Sequence, residues 1–200
     1  MNKDVYFGDL SAIIVENLPW WCEWRRTPKK QITLLDDWEK KISAMAKTTI
    51  HEDVHILAGV PSWTLVLLNK IVENSNGKTI KEIWPNLELY MHGGVSFEPY
   101  QEQFEKLLNF PNMNYVQTYN ASEGFFGIQD EKSSESMLLM LDYGVFFEFI
   151  PVNDLIQKHP KTFTSDNPVS YTHLRAHETK RNLVCRLMLE KKKGGGGGGG

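Results

Sequence analysis

The residues best equipped for chemistry sit in one short stretch, Tyr119-Asn120-Ala121-Ser122-Glu123-Gly124, behind an apolar run from Tyr115 to Tyr119. The run reads as a strand, and the small and polar residues after it read as the break where the strand ends. A buried strand that ends in hydroxyl, carboxylate and glycine has the layout of a ligand site at the carboxyl edge of an α/β sheet. A nucleotide would find a use for each part. Tyr119 can stack on a base, Ser122 can donate to a phosphate, and Glu123 can hold a Mg2+ ion that bridges phosphates. A plain polar turn with a solvated Glu123 has the same composition, so the neighbouring segments must decide.

A second pattern, His51-Glu52-Asp53-Val54-His55, matches H-E-x-x-H. Zinc proteolysis needs both histidines on one helical face with the glutamate beside the metal-bound water. Here Thr48, Thr49 and Ile50 precede the pattern and Val54 and Ile56 overlap or follow it, and β-branched residues favour a strand over 54–58. Side chains four apart on a strand are about 13 Å from each other, too far for one ion. A chance match is therefore preferred, and a zinc hydrolase using His51, Glu52 and His55 stands as the alternative enzyme class. A non-catalytic binding module is the other alternative. His92 could serve as a base or ligand contact, but a core or capping histidine is the simpler reading. The tryptophans Trp20, Trp21 and Trp24 around Cys22 read as core rather than as a ligand wall, and Cys22 as core rather than as a nucleophile.

The elements that must position these groups follow from periodicity. Leu10, Ile13, Ile14 and Leu18 give 7–24 a helical look, broken by Pro19. Residues 36–48 predict a helix capped by Asp36, with Leu35, Trp38, Ile42 and Met45 as its apolar stripe. A buried strand over 54–58 delivers Gly59-Val60-Pro61-Ser62-Trp63, and a helix capped by Ser62 runs to residue 73. A short helix covers 80–84. A strand over 87–91 delivers His92-Gly93-Gly94-Val95, a helix covers 100–108, and the strand 115–119 follows. Strand, helix, strand, helix, strand is a parallel α/β unit whose strand ends share one edge. That topology brings 59–61, 92–94 and 120–123 to one rim, where glycines let a flat group approach the backbone. Residues 125–129 and 137–141 read as antiparallel strands, 145–150 as a further strand, and the run after Pro151 as polar.

The end of the chain has a different character. Residues 169–200 resemble a translated sequencing adapter. Val169 to Thr179 reverse-translates to a transposase-end sequence of short-read libraries, and Leu183 to Glu190 to the far end of the same adapter. Room for a barcode lies between them, and runs of A and G would account for Lys191 to Lys193 and the terminal glycines. Residues 168–200 are accordingly expected to be a disordered, adapter-derived tail, and His173, His177 and Cys185 to have no part in a metal site. Without the seven basic and two acidic residues of the tail, 15 basic and 23 acidic residues remain, a net charge near −8. Such a chain does not suit nucleic acid or an anionic membrane. The lone remaining Cys22 fits a reducing compartment. No apolar run reaches a membrane span, and Asp4, Asp9 and Glu16 break any signal-peptide core, so a cytoplasmic location is expected.

Five segments in order are similar to one known family: Gly8-Asp9-Leu10-Ser11, Gly59-Val60-Pro61-Ser62-Trp63, His92-Gly93-Gly94-Val95, Tyr119-Asn120-Ala121-Ser122-Glu123-Gly124, and Gly144-Val145-Phe146-Phe147-Glu148-Phe149-Ile150-Pro151. They resemble the Gretchen Hagen acyl acid amido synthetases, also called the auxin-responsive promoter family, and the chain reads as a bacterial-type member. The resemblance implies part of the large N-terminal domain of the adenylate-forming fold of acyl-CoA synthetases and luciferases. It is α/β, with a parallel sheet, flanking helices and added antiparallel strands. It implies an ATP- and Mg2+-dependent ligase that activates a carboxylic acid as acyl-AMP and transfers the acyl group to an amine or amino acid. Carried over by position, Gly93 and Gly94 flank adenine and Tyr119 lies along the adenine or acyl pocket. Asn120, Ala121, Ser122 and Glu123 line the ATP site, with Ser122 and Glu123 catalytic and Glu123 toward Mg2+. Val60, Pro61 and Trp63 shape the acyl side. The family's Ser/Gly/Thr-rich phosphate loop, its Trp-Arg-Tyr…Gly-Asp segment and its mobile C-terminal domain are not found here. Residues 1–167 are thus expected to be the central part of a longer enzyme, inactive alone.

Overall fold

The computed structural model describes residues 10–121, 123–132, 136–150, 154 and 156–164. Backbone contacts divide the chain into two compact units, residues 1–116 and 117–200. The fold class is mixed α/β, with a mixed five-stranded sheet whose strands follow one another in chain order.

The first unit opens with α1 (Leu10–Glu16), α2 (Trp20–Arg25), α3 (Lys30–Thr33) and α4 (Trp38–Thr49). The continuous helical pattern of 7–24 divides at Pro19, which has no N–H to offer a helix interior. Asp37 rather than Asp36 caps α4: its carboxylate accepts from the Lys40 N–H at 3.0 Å, and that bond holds its carboxyl below the usual range. Next come β1 (Ile56–Gly59), α5 (Pro61–Asn74), α6 (Ile80–Ile83), β2 (Leu89–Gly93) and α7 (Gln101–Leu107), and β3 (Asn114–Ala121) begins here. In α5 the cap position belongs to Val60 and Pro61 takes the first helical position, with no side-chain cap from Ser62. Proline fits there because the first N–H of a helix has no intrahelical acceptor.

The core of this unit follows the helical stripe. Leu65, Leu68 and Ile71 of α5 pack with Ile42 and Ala46 of α4, and Ile80, Trp84, Tyr90, Phe104 and Leu108 join them. Trp84 is fully buried, and its indole N–H donates to the Thr49 carbonyl at 2.7 Å. α6 is started by a reciprocal cap between Thr79 and Glu82. β1 and β2 are parallel, in register from Ile56 opposite Leu89 to Gly59 opposite His92, with α5 and α6 as the crossover.

Two expectations are corrected here. β1 is mostly exposed rather than buried, and Ile56 leaves more than half its surface in solvent. Among the described residues its one neighbour in the sheet is β2. The α2 tryptophans are not core: Trp20, Trp21 and Trp24 are 70%, 59% and 78% exposed. α2 has six residues and buries none of them. At a spacing of four, Trp20 and Trp24 fall on one face and pack edge-to-face on each other at 5.4 Å.

The second unit holds the rest of β3 with β4 (Gly124–Ile128), β5 (Leu138–Leu139), β6 (Glu148–Phe149) and β7 (Phe163–Thr164). β3 and β4 are antiparallel, as are β4 and β5. β6 pairs with β7 in a separate antiparallel ribbon, so the polar run after Pro151 contains a short strand that its composition concealed. Among the described residues of this unit, Phe126, Met137 and Phe147 are the buried apolar side chains.

Candidate functional site

In the first unit the parallel register brings the carboxyl ends of β1 and β2 together. Gly59-Val60-Pro61 leaves one strand and His92-Gly93-Gly94 ends the other. Gly94 has a φ of +82°, a backbone that side-chain-bearing residues rarely adopt, and a Cβ placed there would lie 3.4 Å from Cγ2 of Val60. Gly59 is tighter: a Cβ would stand 2.8 Å from Oγ1 of Thr64. The Tyr90 hydroxyl donates to the Gly59 carbonyl at 3.0 Å. Pro61 is buried, Val60 is half-buried, and Trp63 is exposed with its ring 4.3 Å from that of Trp38. His92 is 3% exposed and stacks on Phe97 at 4.0 Å. Burial pushes its pKa down to about 4, so at neutral pH it is an uncharged core imidazole. This rim offers backbone, glycine and apolar surface. Its chemistry is contact with a flat or apolar group rather than attraction of charge.

In the second unit β3 continues two residues past the expected break. Asn120 pairs with Phe125 and Ala121 with Gly124, after a register shift between Tyr119 and Asn120. Asn120 and Ala121 are thus half-buried strand residues, not loop residues. A bulge admits such polar and small residues without ending the strand. The pairing leaves Glu123 in the turn between the two strands. Glu123 is exposed there, whereas Ser122 lies outside the described residues, as do Gly8, Asp9 and Pro151 of the other motifs. Tyr119 is half-buried, its ring 5.4 Å from that of Phe126. The fit of Glu123 to Mg2+ rests on its donor chemistry. A single exposed carboxylate suits an ion that keeps most of its waters and takes one or two carboxylates plus substrate phosphates.

The H-E-x-x-H pattern is not helical. α4 ends at Thr49, and His51 to His55 form a turn and connector before β1. His55 faces carboxylates on opposite ring nitrogens, Asp53 at 3.2 Å and Glu88 at 3.9 Å. Among the described residues no three His, Cys, Asp or Glu are placed to hold one ion.

Sequence reasoning missed Tyr90 and Thr64. Their only signal was a hydroxyl among the core-facing positions of the strand and of the helix.

A family model described as GH3 family N-terminal domain matches residues 1–113. The match takes in β1, β2 and both glycine-bearing loops of the first unit and stops short of Tyr119 to Gly124. No curated protein matches the chain. Among the described residues no helix is long and apolar enough to cross a membrane. With more than half of its 200 residues under one family model, the chain belongs to the GH3 family, the Gretchen Hagen acyl acid amido synthetases whose motifs it carries.

Proposed function

We propose that this chain is part of an ATP-dependent acyl-adenylating ligase, cytoplasmic, acting on a carboxylic acid and then on an amine or amino acid. The observation that carries the reading is the family match over the first unit. The chemistry it asks for is definite. A carboxylate oxygen attacks the α-phosphate of ATP, the bond to pyrophosphate breaks, and acyl-AMP forms. The amine then attacks the acyl carbonyl, AMP leaves, and the amine loses its proton.

In the first unit, Gly93 and Gly94 are assigned to the adenine, where the lack of side chains permits close approach. Val60, Pro61 and Trp63 are assigned to the acyl chain, which their apolar surface suits. In the second unit, Tyr119, Asn120, Ala121, Ser122 and Glu123 are assigned to the nucleotide, with Ser122 and Glu123 as the catalytic pair. Glu123 would hold Mg2+, which when bound neutralises charge building on the phosphates. The matched model is that of an N-terminal domain. We read the working enzyme as longer than the matched region, and this chain as inactive by itself.

Exchange of labelled pyrophosphate into ATP, driven by a panel of carboxylic acids, tests both parts. The product of the complete source locus is expected to exchange, and the 200-residue chain to stay at the level of its Glu123→Ala variant. If the locus product shows no carboxylate-dependent exchange, the ligase reading is wrong. If the chain exchanges well above its variant, the inactivity is wrong.

A further inference from the structure

Val60 connects β1 to α5 and Pro61 opens the helix, yet β1 has four residues and is largely exposed. A glycine at its end adds conformational freedom. Something else must fix where Val60 and Pro61 stand. The buried Tyr90 hydroxyl beneath them does so. Tyr90, fully buried in β2 with its ring stacked on Phe104 at 4.6 Å, reaches across to donate to the Gly59 carbonyl at 3.0 Å. The Thr64 N–H donates to the Val60 carbonyl at 3.0 Å, the first backbone bond of α5. The Tyr90 side chain thereby holds the Gly59 carbonyl, and the helix itself holds the next one. The 2.8 Å approach to Thr64 Oγ1 leaves only glycine room at position 59.

We propose that Tyr90 is a positioning residue: it pins the Gly59 carbonyl and so sets the place of the wall that Val60 and Pro61 form at the rim. The pin rests on this hydrogen bond. Its role toward an acyl group rests, in addition, on the ligase reading above.

Amide hydrogen exchange on the 200-residue chain tests the pin. Tyr90→Phe keeps the ring in its stack and removes only the hydroxyl. In this variant the amides of Gly59, Val60 and Ser62 to Thr64 are expected to exchange about tenfold faster, the scale of one lost buried hydrogen bond. The amides of β2 and of the second half of α5 should keep their wild-type rates. No acceleration at 59–64, or the same acceleration across the whole unit, would overturn the pin. The acyl role is read in the product of the complete locus. There Tyr90→Phe is expected to raise KM for the carboxylic acid several-fold and leave KM for ATP unchanged, and a rise in both or in neither overturns that role. A locus product without any adenylation activity removes the ligase reading and the acyl role together, while the exchange result still decides the pin.

Discussion

Gly59 shows how much a single missing Cβ decides. Gly59→Ala would press a methyl to 2.8 Å from a buried hydroxyl. We expect a loss of about 1–3 kcal/mol, the usual cost of overpacking, read as a lower denaturant midpoint with an unchanged slope. His92 makes a second prediction. Its pKa is about 4 in the folded chain against 6.5 when exposed. The unfolded chain therefore binds a proton that the folded chain refuses between these values. The stability this neutral imidazole allows is complete above pH 6.5 and is lost as pH falls toward 4, in total about 3 kcal/mol at most. Unfolding free energies measured across that window should decline with falling pH, and His92→Phe should remove most of the decline that His92 contributes. Gly94 and Glu123 were legible as site candidates because glycine and carboxylate after a strand stand out by type. Tyr90 and Thr64 were not, because a hydroxyl on the core-facing side of a strand or helix does not alter the period of its apolar residues.

At the scale of elements, α4 and α5 were legible nearly to the residue, since each combines a 3.6-residue apolar stripe with a capping or first-turn residue. The ends of strands were less so. β3 runs through Asn120 and Ala121 because β4 folds back on it, and that pairing depends on residues beyond the strand itself. The segment 54–58 reads as buried from its Val, Ile and Leu content, but burial of a strand is set by its neighbours, and among the described residues β1 has one. Trp84 is the clearest bond between elements, closing α6 onto the end of α4 through the Thr49 carbonyl. Trp84→Phe loses this hydrogen bond, leaves Thr49 without that donor, and opens a cavity. We expect a cost of about 2–4 kcal/mol by thermal or chemical unfolding. Substituting Trp24, which is 78% exposed, should cost less than about 0.5 kcal/mol in the same assay.

At the scale of the molecule, the charge of the chain is divided. All 200 residues carry a net charge of −3, whereas the part before Val169 is near −8. Ending the chain at residue 168 is expected to move its isoelectric point below the present value near 6.1, which isoelectric focusing can check. Any retention on nucleic acid seen for the long form should vanish in the short one. The distribution of tryptophans has an optical consequence. Five of the six indoles (Trp20, Trp21, Trp24, Trp38 and Trp63) face solvent, and Trp84 alone is enclosed. The native emission spectrum will therefore already be red-shifted, close to that of the unfolded chain, with one blue component from Trp84. A melt followed by total fluorescence would show a small amplitude and suggest a loosely folded protein, while calorimetry on the same sample would register the packed core.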